Sequence, residues 1–162
     1  MQLLHQAFQS LRFCKVATFL GSGNVVFETK SKNIRALEKE IERKLQRTLG
    51  YNVPVFIRTN QELKEIATVE PFKDSRGQDV DVNIILLADN LDERSKANLK
   101  TLETESDGFL VRGREIYWWR RKKPGTSHYY TVPLTKALTE PFTIRSTNTI
   151  RRLAAKWPSQ SS

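Results

Sequence analysis

The alternation of apolar and polar residues predicts a β-hairpin near the start of the chain. Residues 15–20 and 25–29 alternate polar with apolar side chains and are rich in β-branched residues. The segment Gly21-Ser22-Gly23-Asn24 separates them, and glycine and asparagine tolerate the positive φ angles that short hairpin loops require. The backbone N–H groups of such a loop could also bind an anion, but a plain hairpin turn is the simpler interpretation.

Apolar residues recur at helical spacing on both sides of this hairpin, which predicts helices there. One helix begins almost at Met1. The longest runs from about Asn33 to Leu49, with Ser31 or Asn33 as its N-terminal cap and Gly50 as the residue that ends it. Further helices are predicted at 60–67, where Asn60 is the expected cap, at 91–102 and at 134–139, and a final helix is capped by Ser146 or Thr147.

Short apolar and β-branched segments predict the remaining strands, and their order predicts the fold. Residues 82–87 are nearly all apolar, as in a strand that is buried on both faces. The second half therefore reads β-α-β-β-α-β followed by a helix, which is the order of the split βαβ, or ferredoxin-like, fold. The first half has the same order if one strand is added in front. The predicted strands lie at 53–59, 82–87, 109–112, 115–119 and 142–145.

This element order predicts an α+β protein of two tandem ferredoxin-like repeats, the first lacking its initial strand, with a C-terminal helix. We place the first subdomain at residues 1–72 and the second at 82–157. Residues 73–81 are polar and contain glycine, so they are the predicted linker, and residues 158–162 are a predicted disordered tail.

Composition argues against several classes of protein. No apolar run approaches the roughly 20 residues of a membrane-spanning helix, and we see no secretory signal. A single cysteine, Cys14, forbids an internal disulfide and suits a reducing cytoplasm, where we expect the protein to be; we expect Cys14 itself in the core. Since His5 and His128 are the only histidines, we predict no metal site, and we predict no cofactor.

The net charge of +9 is concentrated in one part of the chain. From Arg112 to Lys156 there are eleven Lys and Arg but only two Glu, so the remaining chain is neutral in sum. A basic region on an otherwise balanced protein indicates a polyanionic partner. Solvated charge with no partner explains the pattern equally well.

Aromatic and basic residues meet at the end of one predicted strand. Tyr117 and Trp119 should face one side of the sheet and Ile116 and Trp118 the other, so that one pair enters the core and the other stays outside. Rings beside cations suit nucleic acid, whose bases stack and whose phosphates need countercharge. Alternatively, the rings pack under a helix and the cations form a solvated loop. The predicted polyanion-binding residues are Trp119, Arg120, Arg121, Lys122 and Lys123, with Arg151 and Arg152 as a second contact.

No pattern in the chain nominates a catalytic site. No nucleophile motif lies beside either histidine, no carboxylate pair stands out, and no phosphate-binding glycine loop is present. We therefore predict a non-enzymatic binding protein for a phosphate-bearing polyanion, with nucleic acid as a candidate. The alternatives are a small-molecule-binding domain or enzyme with a cleft between the repeats, and a truncated product without activity. That cleft would be lined by Ser22, Asn24, Lys136, Arg145 and Asn148.

A set of short motifs runs in order along nearly the whole chain. The most specific is Ser22-Gly23-Asn24-Val25-Val26-Phe27, and the others include Val53-Pro54-Val55 and Gly113-Arg114-Glu115-Ile116-Tyr117. Together they resemble the bacterial domain-of-unknown-function family 1697. The resemblance implies two ferredoxin-like repeats and no established reaction. Where that family usually has Arg-Asn-Trp-Asn-Thr, this chain has Arg145-Ser146-Thr147-Asn148-Thr149 and lacks the aromatic residue.

The resemblance also implies one more strand, because members of that family usually begin with a strand before the first helix. In the ferredoxin-like arrangement this strand is central, between the third and the fourth. Its absence would leave two neighbouring strands with unpaired N–H and C=O groups, and such edges invite association. We therefore expect that the chain is truncated at its N-terminus, or that another segment fills this position.

Overall fold

The computed structural model describes residues 2–11, 13–19, 23–69, 80–105, 107–121 and 134–157 of the 162-residue chain. These residues form six helices and two antiparallel sheets, which confirms the predicted α+β class. The chain divides into two compact units, residues 1–57 and 58–162. The second unit therefore begins before the predicted linker at 73–81, of which only Val80 and Asp81 are described.

The first unit contains the predicted hairpin and its two helices. Strands β1 (Cys14–Phe19) and β2 (Asn24–Glu28) pair antiparallel, with Thr18 opposite Val25, and Gly23 has a φ of 80° just before β2. The other residues of the predicted loop, 20–22, lie outside the described residues. The elements of this unit are α1 (Gln2–Ser10), β1 (Cys14–Phe19), β2 (Asn24–Glu28) and α2 (Ile34–Leu49).

Helix α2 begins and ends where its sequence predicts. The side chain of Asn33 accepts a hydrogen bond from the Ala36 N–H over 3.1 Å and so caps the first turn. Gly50 ends the helix in the left-handed conformation, at a φ of 84°, which glycine adopts without strain. Its buried face, Ile41 and Leu45, packs into one apolar cluster with Ala7 and Phe8 of α1.

The prediction of a strand at 53–59 is wrong. This segment is extended, but it pairs with no strand among the described residues. Instead, carboxylates of α2 accept its N–H groups. Oε1 of Glu42 accepts from Val55 over 3.0 Å, and Oε2 of Glu38 accepts from Ile57 over 2.9 Å. Among the described residues the first unit thus has a two-stranded sheet. The additional first strand stays a prediction.

The second unit has the strand order expected for a split βαβ arrangement. Its four strands are β3 (Val80–Leu87), β4 (Asp107–Arg112), β5 (Glu115–Arg121) and β6 (Phe142–Ser146). The sheet runs β4-β5-β3-β6 with every neighbouring pair antiparallel, so the first strand of the unit, β3, lies between the third and the fourth. Its elements are α3 (Asn60–Thr68), β3 (Val80–Leu87), α4 (Glu93–Thr101), β4 (Asp107–Arg112), β5 (Glu115–Arg121), α5 (Leu134–Ala137), β6 (Phe142–Ser146) and α6 (Thr147–Lys156).

Both faces of this sheet are covered, as the apolar run in β3 predicts. Ile85 and Ile116 pack in a cluster with residues of α4 and α5. Their neighbours Ile84 and Tyr117 point to the opposite face, because successive side chains of a strand alternate, and they too are buried. Helices α3 and α6 pack against each other, and α6 also contacts β3. None of the helices within the described residues is long and apolar enough to cross a membrane.

Helix α3 begins one residue earlier than its sequence suggests. Asn60 is the obvious cap, but Thr59 caps the helix: its hydroxyl accepts from the Glu62 N–H over 3.1 Å, and the Glu62 carboxylate accepts from the Thr59 N–H over 3.3 Å. This reciprocal capping box satisfies two N–H groups at the start of the helix. It also fixes the position of Glu62, which lines the cleft described below.

Candidate functional site

Strand β5 divides its aromatic and basic residues between the two faces of the sheet. Trp118 stacks on Phe109, with ring centroids 6.1 Å apart, and packs against the cluster beneath α4 and α5. Trp119 and Arg121 lie on the opposite face. The predicted alternation is therefore confirmed, but the expectation that one pair stays outside the core is wrong, because Ile116 and Tyr117 are both buried and lie on opposite faces. The basic run does not present a single continuous face.

Arg120 already has an anionic partner. Its Nε donates to Oδ1 of Asp107 over 2.9 Å, and its guanidinium lies 5.0 Å from the centre of the Trp118 ring. The side chains of both ions are largely buried. Because an ion pair of this kind cancels much of the charge of Arg120, its attraction for an external anion is weaker than the sequence suggests.

Trp119 is half-buried rather than open for stacking. Its ring packs over Gly108, its register partner in β4, so closely that a Cβ on Gly108 would lie 2.2 Å from Cζ2 of the ring. The guanidinium of Arg121 lies 5.9 Å from the ring centre. A base could stack here only by displacing this cation. Lys122 and Lys123 lie outside the described residues.

Helix α6 provides the second predicted group of cations. The hydroxyl of Ser146 accepts from the Thr149 N–H over 3.1 Å, and the hydroxyl of Thr147 donates to the Val82 carbonyl, next to Trp119. Ile150 and Leu153 face the core, and the exposed positions of the helix include its three basic residues. These exposed basic residues are Arg151, Arg152 and Lys156.

The residues of the alternative cleft are divided between the units. Ser22 lies outside the described residues, and Asn24 donates to the Phe19 carbonyl within the hairpin of the first unit. In the second unit Arg145 is the register partner of Ile84, on the face opposite α5, which carries Lys136. Asn148 lies in the first turn of α6. A cleft between the repeats that uses these residues stays a prediction.

Arg145 is held locally. Its Nη1 donates to the Thr143 hydroxyl over 2.7 Å and to the Ile144 carbonyl over 2.9 Å. Partial burial lowers the pKa of Arg145 from its usual value. The guanidinium nevertheless stays charged at neutral pH, because arginine ionises far above that range.

A buried ion network that the sequence analysis did not identify lies at the other end of this sheet. With its side chain 3% exposed, Arg58 donates from Nε to Oε1 of Glu115 over 2.9 Å. Its Nη2 donates to the carbonyls of Leu87 and Arg114 over 2.7 and 2.9 Å. Arg114 in turn pairs with Glu62 of α3. This network links α3, the end of β3 and the β4–β5 turn.

Beside this network, α3 and the β4–β5 hairpin enclose an open cleft of about 930 Å³. Leu110 and Tyr117 belong to the hairpin side, and Glu65 and Ile66 to the α3 side. The remaining lining residues are Glu62, Thr68, Val69, Asn90, Arg112, Gly113, Arg114 and Glu115. The only sequence signal for this site is the Arg-Gly-Arg-Glu turn at 112–115, since no local pattern connects it to α3.

Burial in the cleft changes two ionisation equilibria. It raises the pKa of Tyr117 to about 12, mainly through desolvation and secondarily through the charge of Glu115. Desolvation, followed by repulsion from Arg114, lowers the pKa of Arg58. At neutral pH Tyr117 is therefore a neutral hydrogen-bond donor, and Arg58 remains a cation because its ordinary pKa is far above neutrality.

No group of three or more His, Cys, Asp or Glu within the described residues could hold a metal ion. His5 donates from its ring to the Val16 carbonyl over 3.1 Å, and His128 lies outside the described residues. Cys14 is exposed, which corrects its predicted place in the core. It is the first residue of β1, next to an irregularity in the β1–β2 pairing.

Comparisons with known proteins agree with this architecture. The model of the family DUF1697, described as a protein of unknown function, matches residues 1–117. The chain belongs to this family. DUF1697 membership confirms the resemblance seen in the sequence motifs and assigns no activity.

A solved structure of a conserved bacterial protein from Streptococcus pneumoniae is similar to this DUF1697 chain in fold. It has a TM-score of 0.72 at 19% sequence identity, and the match covers 96% of this chain and 87% of that one. A comparison with curated proteins found no match.

Proposed function

We propose that the second unit binds a phosphate-bearing polyanion, with nucleic acid as the first candidate, and that it does so without catalysing a reaction. The first contact is the end of β5 and the residues after it, and the second is helix α6. The residues that we assign are Trp119, Arg120, Arg121, Lys122 and Lys123, with Arg151 and Arg152 on α6. Lys156 extends the second contact.

The observation that carries this proposal is the composition of the exposed side of α6. The apolar residues of this helix face the sheet, and its exposed positions include three cations. Residues 141–157 contain no acidic residue. Helix α2 is different, because Glu38, Glu40 and Glu42 are interspersed among its cations. An acid-free basic helix favours a polyanion, because none of its own side chains repels the phosphates.

The environment of Trp119 favours contact with phosphates over contact with bases. Arg121 lies over its ring, and Val82 is its partner in β3. Since the guanidinium occupies the face on which a base would stack, the end of β5 is better suited to binding a phosphate than to stacking a base. Phosphate contacts carry little sequence information, so we expect binding that depends weakly on base sequence.

Fluorescence anisotropy of a labelled single-stranded oligonucleotide tests the proposal, measured at about 50 and about 200 mM salt. Neutralising six or more phosphates should weaken binding on the order of a thousandfold over that range. Replacing Arg151, Arg152 and Lys156 together by Gln should reduce the slope of log K against log salt by about 2, at about 0.7 per phosphate contact for a single strand.

A matched control removes the same charge elsewhere. Lys39, Arg43 and Arg47 are exposed on α2, and changing all three to Gln should leave most of the salt slope intact. An equal reduction of the salt slope in the two triple variants would mean that binding depends only on net charge, and it would overturn the assignment to α6. Absence of binding at the lower salt concentration by the folded protein would overturn the function itself.

A further inference from the structure

We propose that the cleft between α3 and the β4–β5 hairpin binds a small zwitterion, a ligand with one carboxylate and one ammonium group, such as a free amino acid or a short peptide. This site is separate from the proposed polyanion surface and goes beyond that function. Its volume of about 930 Å³ is near the upper end of the range of about 300–1,000 Å³ typical of small-molecule sites.

The cleft is held in shape before any ligand arrives. Arg58 joins Glu115 to the carbonyls of Leu87 and Arg114, and the Glu62–Arg114 pair ties α3 to the hairpin turn. These partners come from α3 and the residue before it, the end of β3 and the β4–β5 hairpin, so their relative positions are fixed on folding. A preorganised site loses less conformational entropy when a ligand binds.

The charges of the cleft are paired except at two places. Glu62 and Glu115 already have arginine partners, as described above. Arg112, exposed on β4, has no ion-pair partner among the described residues. The side-chain carboxylate of Glu65, exposed on α3, accepts a hydrogen bond only from neutral Gln61 within the same set. The cleft therefore offers one cation and one anion to a ligand, on its two opposite sides.

Charge balance distinguishes the ligand class. Three carboxylates and two guanidiniums line the cleft, with Arg58 beside them, so the site as a whole is neutral. A polyanion would meet those carboxylates and be repelled, whereas a ligand with both charges can pair with Arg112 and Glu65 simultaneously. Leu110, 39% exposed, adds an apolar surface for the body of the ligand.

The probes are alanine, dialanine and trialanine with free termini, and the same compounds acetylated at the N-terminus, amidated at the C-terminus, or blocked at both ends. Their length series varies the separation of the two charges. We expect NMR titration of isotope-labelled protein to shift the amide signals of residues 62–69 and 110–117 for at least one free peptide. The doubly blocked form should bind at least about tenfold more weakly, as expected for the loss of charge-assisted contacts.

Two substitutions assign the ends of the ligand. Arg112→Gln should weaken binding of the free-carboxylate peptide about tenfold and leave the affinity of the amidated peptide unchanged. Glu65→Gln should weaken binding of the peptide with a free amine about tenfold and leave the affinity of the acetylated peptide unchanged. Arg43→Gln and Glu40→Gln, exposed on α2 of the other unit, are the matched controls and should leave both affinities unchanged.

Three results would overturn the inference: no signal shift with any free peptide, equal affinity for free and blocked peptides, or equal losses in the α2 controls. Both cleft substitutions are at exposed positions and should fold normally. If Arg112→Gln does not fold, Glu65→Gln with the acetylated peptides decides the question alone. The outcome is independent of the oligonucleotide experiment, because the substituted residues belong to different surfaces.

Discussion

Arg58 and Glu115, separated by 57 positions in the sequence, form an ion pair at 2.9 Å in which both side chains are largely buried. Arg58 is the first residue of the second unit, and Glu115 is the first residue of β5. Removing one partner of a buried pair leaves the other charge without compensation, which costs more than the net stabilisation of the pair. The pair therefore has consequences for stability as well as for the shape of the cleft.

We predict that Arg58→Met destabilises the protein by about 3–5 kcal/mol, because it leaves the buried Glu115 carboxylate without its arginine partner and removes one donor from each of the Leu87 and Arg114 carbonyls. Urea unfolding followed by circular dichroism measures the change. Adding Glu115→Gln should recover part of the loss, since the uncompensated charge is then gone. Lys64→Met, at an exposed position of α3, is the control and should change stability by no more than about 0.5 kcal/mol. A similar small change for Arg58→Met would contradict the role of the pair.

The close packing of the Trp119 ring on Gly108 leads to a second prediction. We expect Gly108→Ala to cost about 1–3 kcal/mol, because the added Cβ would lie 2.2 Å from Cζ2 of Trp119 and the ring would have to move. Thermal unfolding measures this cost. In a Trp119→Ala background the same substitution should cost less, since the ring is absent. Equal costs in the two backgrounds would show that the ring is not the cause.

In the first unit, Glu38→Leu should destabilise by about 1–3 kcal/mol, because the Ile57 N–H then loses its acceptor. Glu38 is 1% exposed and also accepts from Arg35, whereas Glu40 is exposed on the same helix. Glu40→Leu is thus a matched control and should have an effect of no more than about 0.5 kcal/mol. Chemical denaturation compares the two variants. If their effects are equal, the carboxylate does not hold the 53–57 segment.

Asp92 gives a prediction for the pH dependence of stability. Its side chain caps α4 by accepting from the Ser95 N–H over 2.7 Å, and hydrogen bonds from Ser95 hold the pKa of Asp92 below its ordinary value of 3.8. Because the pKa of Asp92 is lower in the folded state than in the unfolded state, its ionised side chain stabilises the fold. This stabilisation is fully present above the unfolded pKa and is lost as the pH falls through the folded pKa.

Asp92→Asn should therefore make the acid limb of the stability curve shallower, since asparagine caps a helix but does not ionise. Thermal unfolding midpoints measured from neutral to acidic pH test this. Glu105→Gln removes a different exposed carboxylate, and its curve serves as the reference. An unchanged slope in Asp92→Asn would contradict the prediction.

Local features were predictable because their causes lie within a few residues. The Asn33 cap and the Gly50 end of α2 follow from backbone geometry, and the alternation of Trp118 and Trp119 follows from the pleat of a strand. Prediction failed where partners come from far along the chain. The segment 53–59 has a strand-like sequence, yet its N–H groups go to Glu38 and Glu42, which local pattern cannot reveal.

The sequence by itself determined the α+β class, the element order apart from the segment 53–59, the family resemblance and the concentration of positive charge near the C-terminus, because each depends on local periodicity or composition. Only the tertiary structure decided which charges remain available. Folding pairs Arg120 with Asp107 and Arg58 with Glu115, and it leaves Arg112 and Glu65 on opposite sides of one cleft. Pairing depends on distances in space between residues far apart in the chain, and these distances exist only after the sheet and its helices have packed.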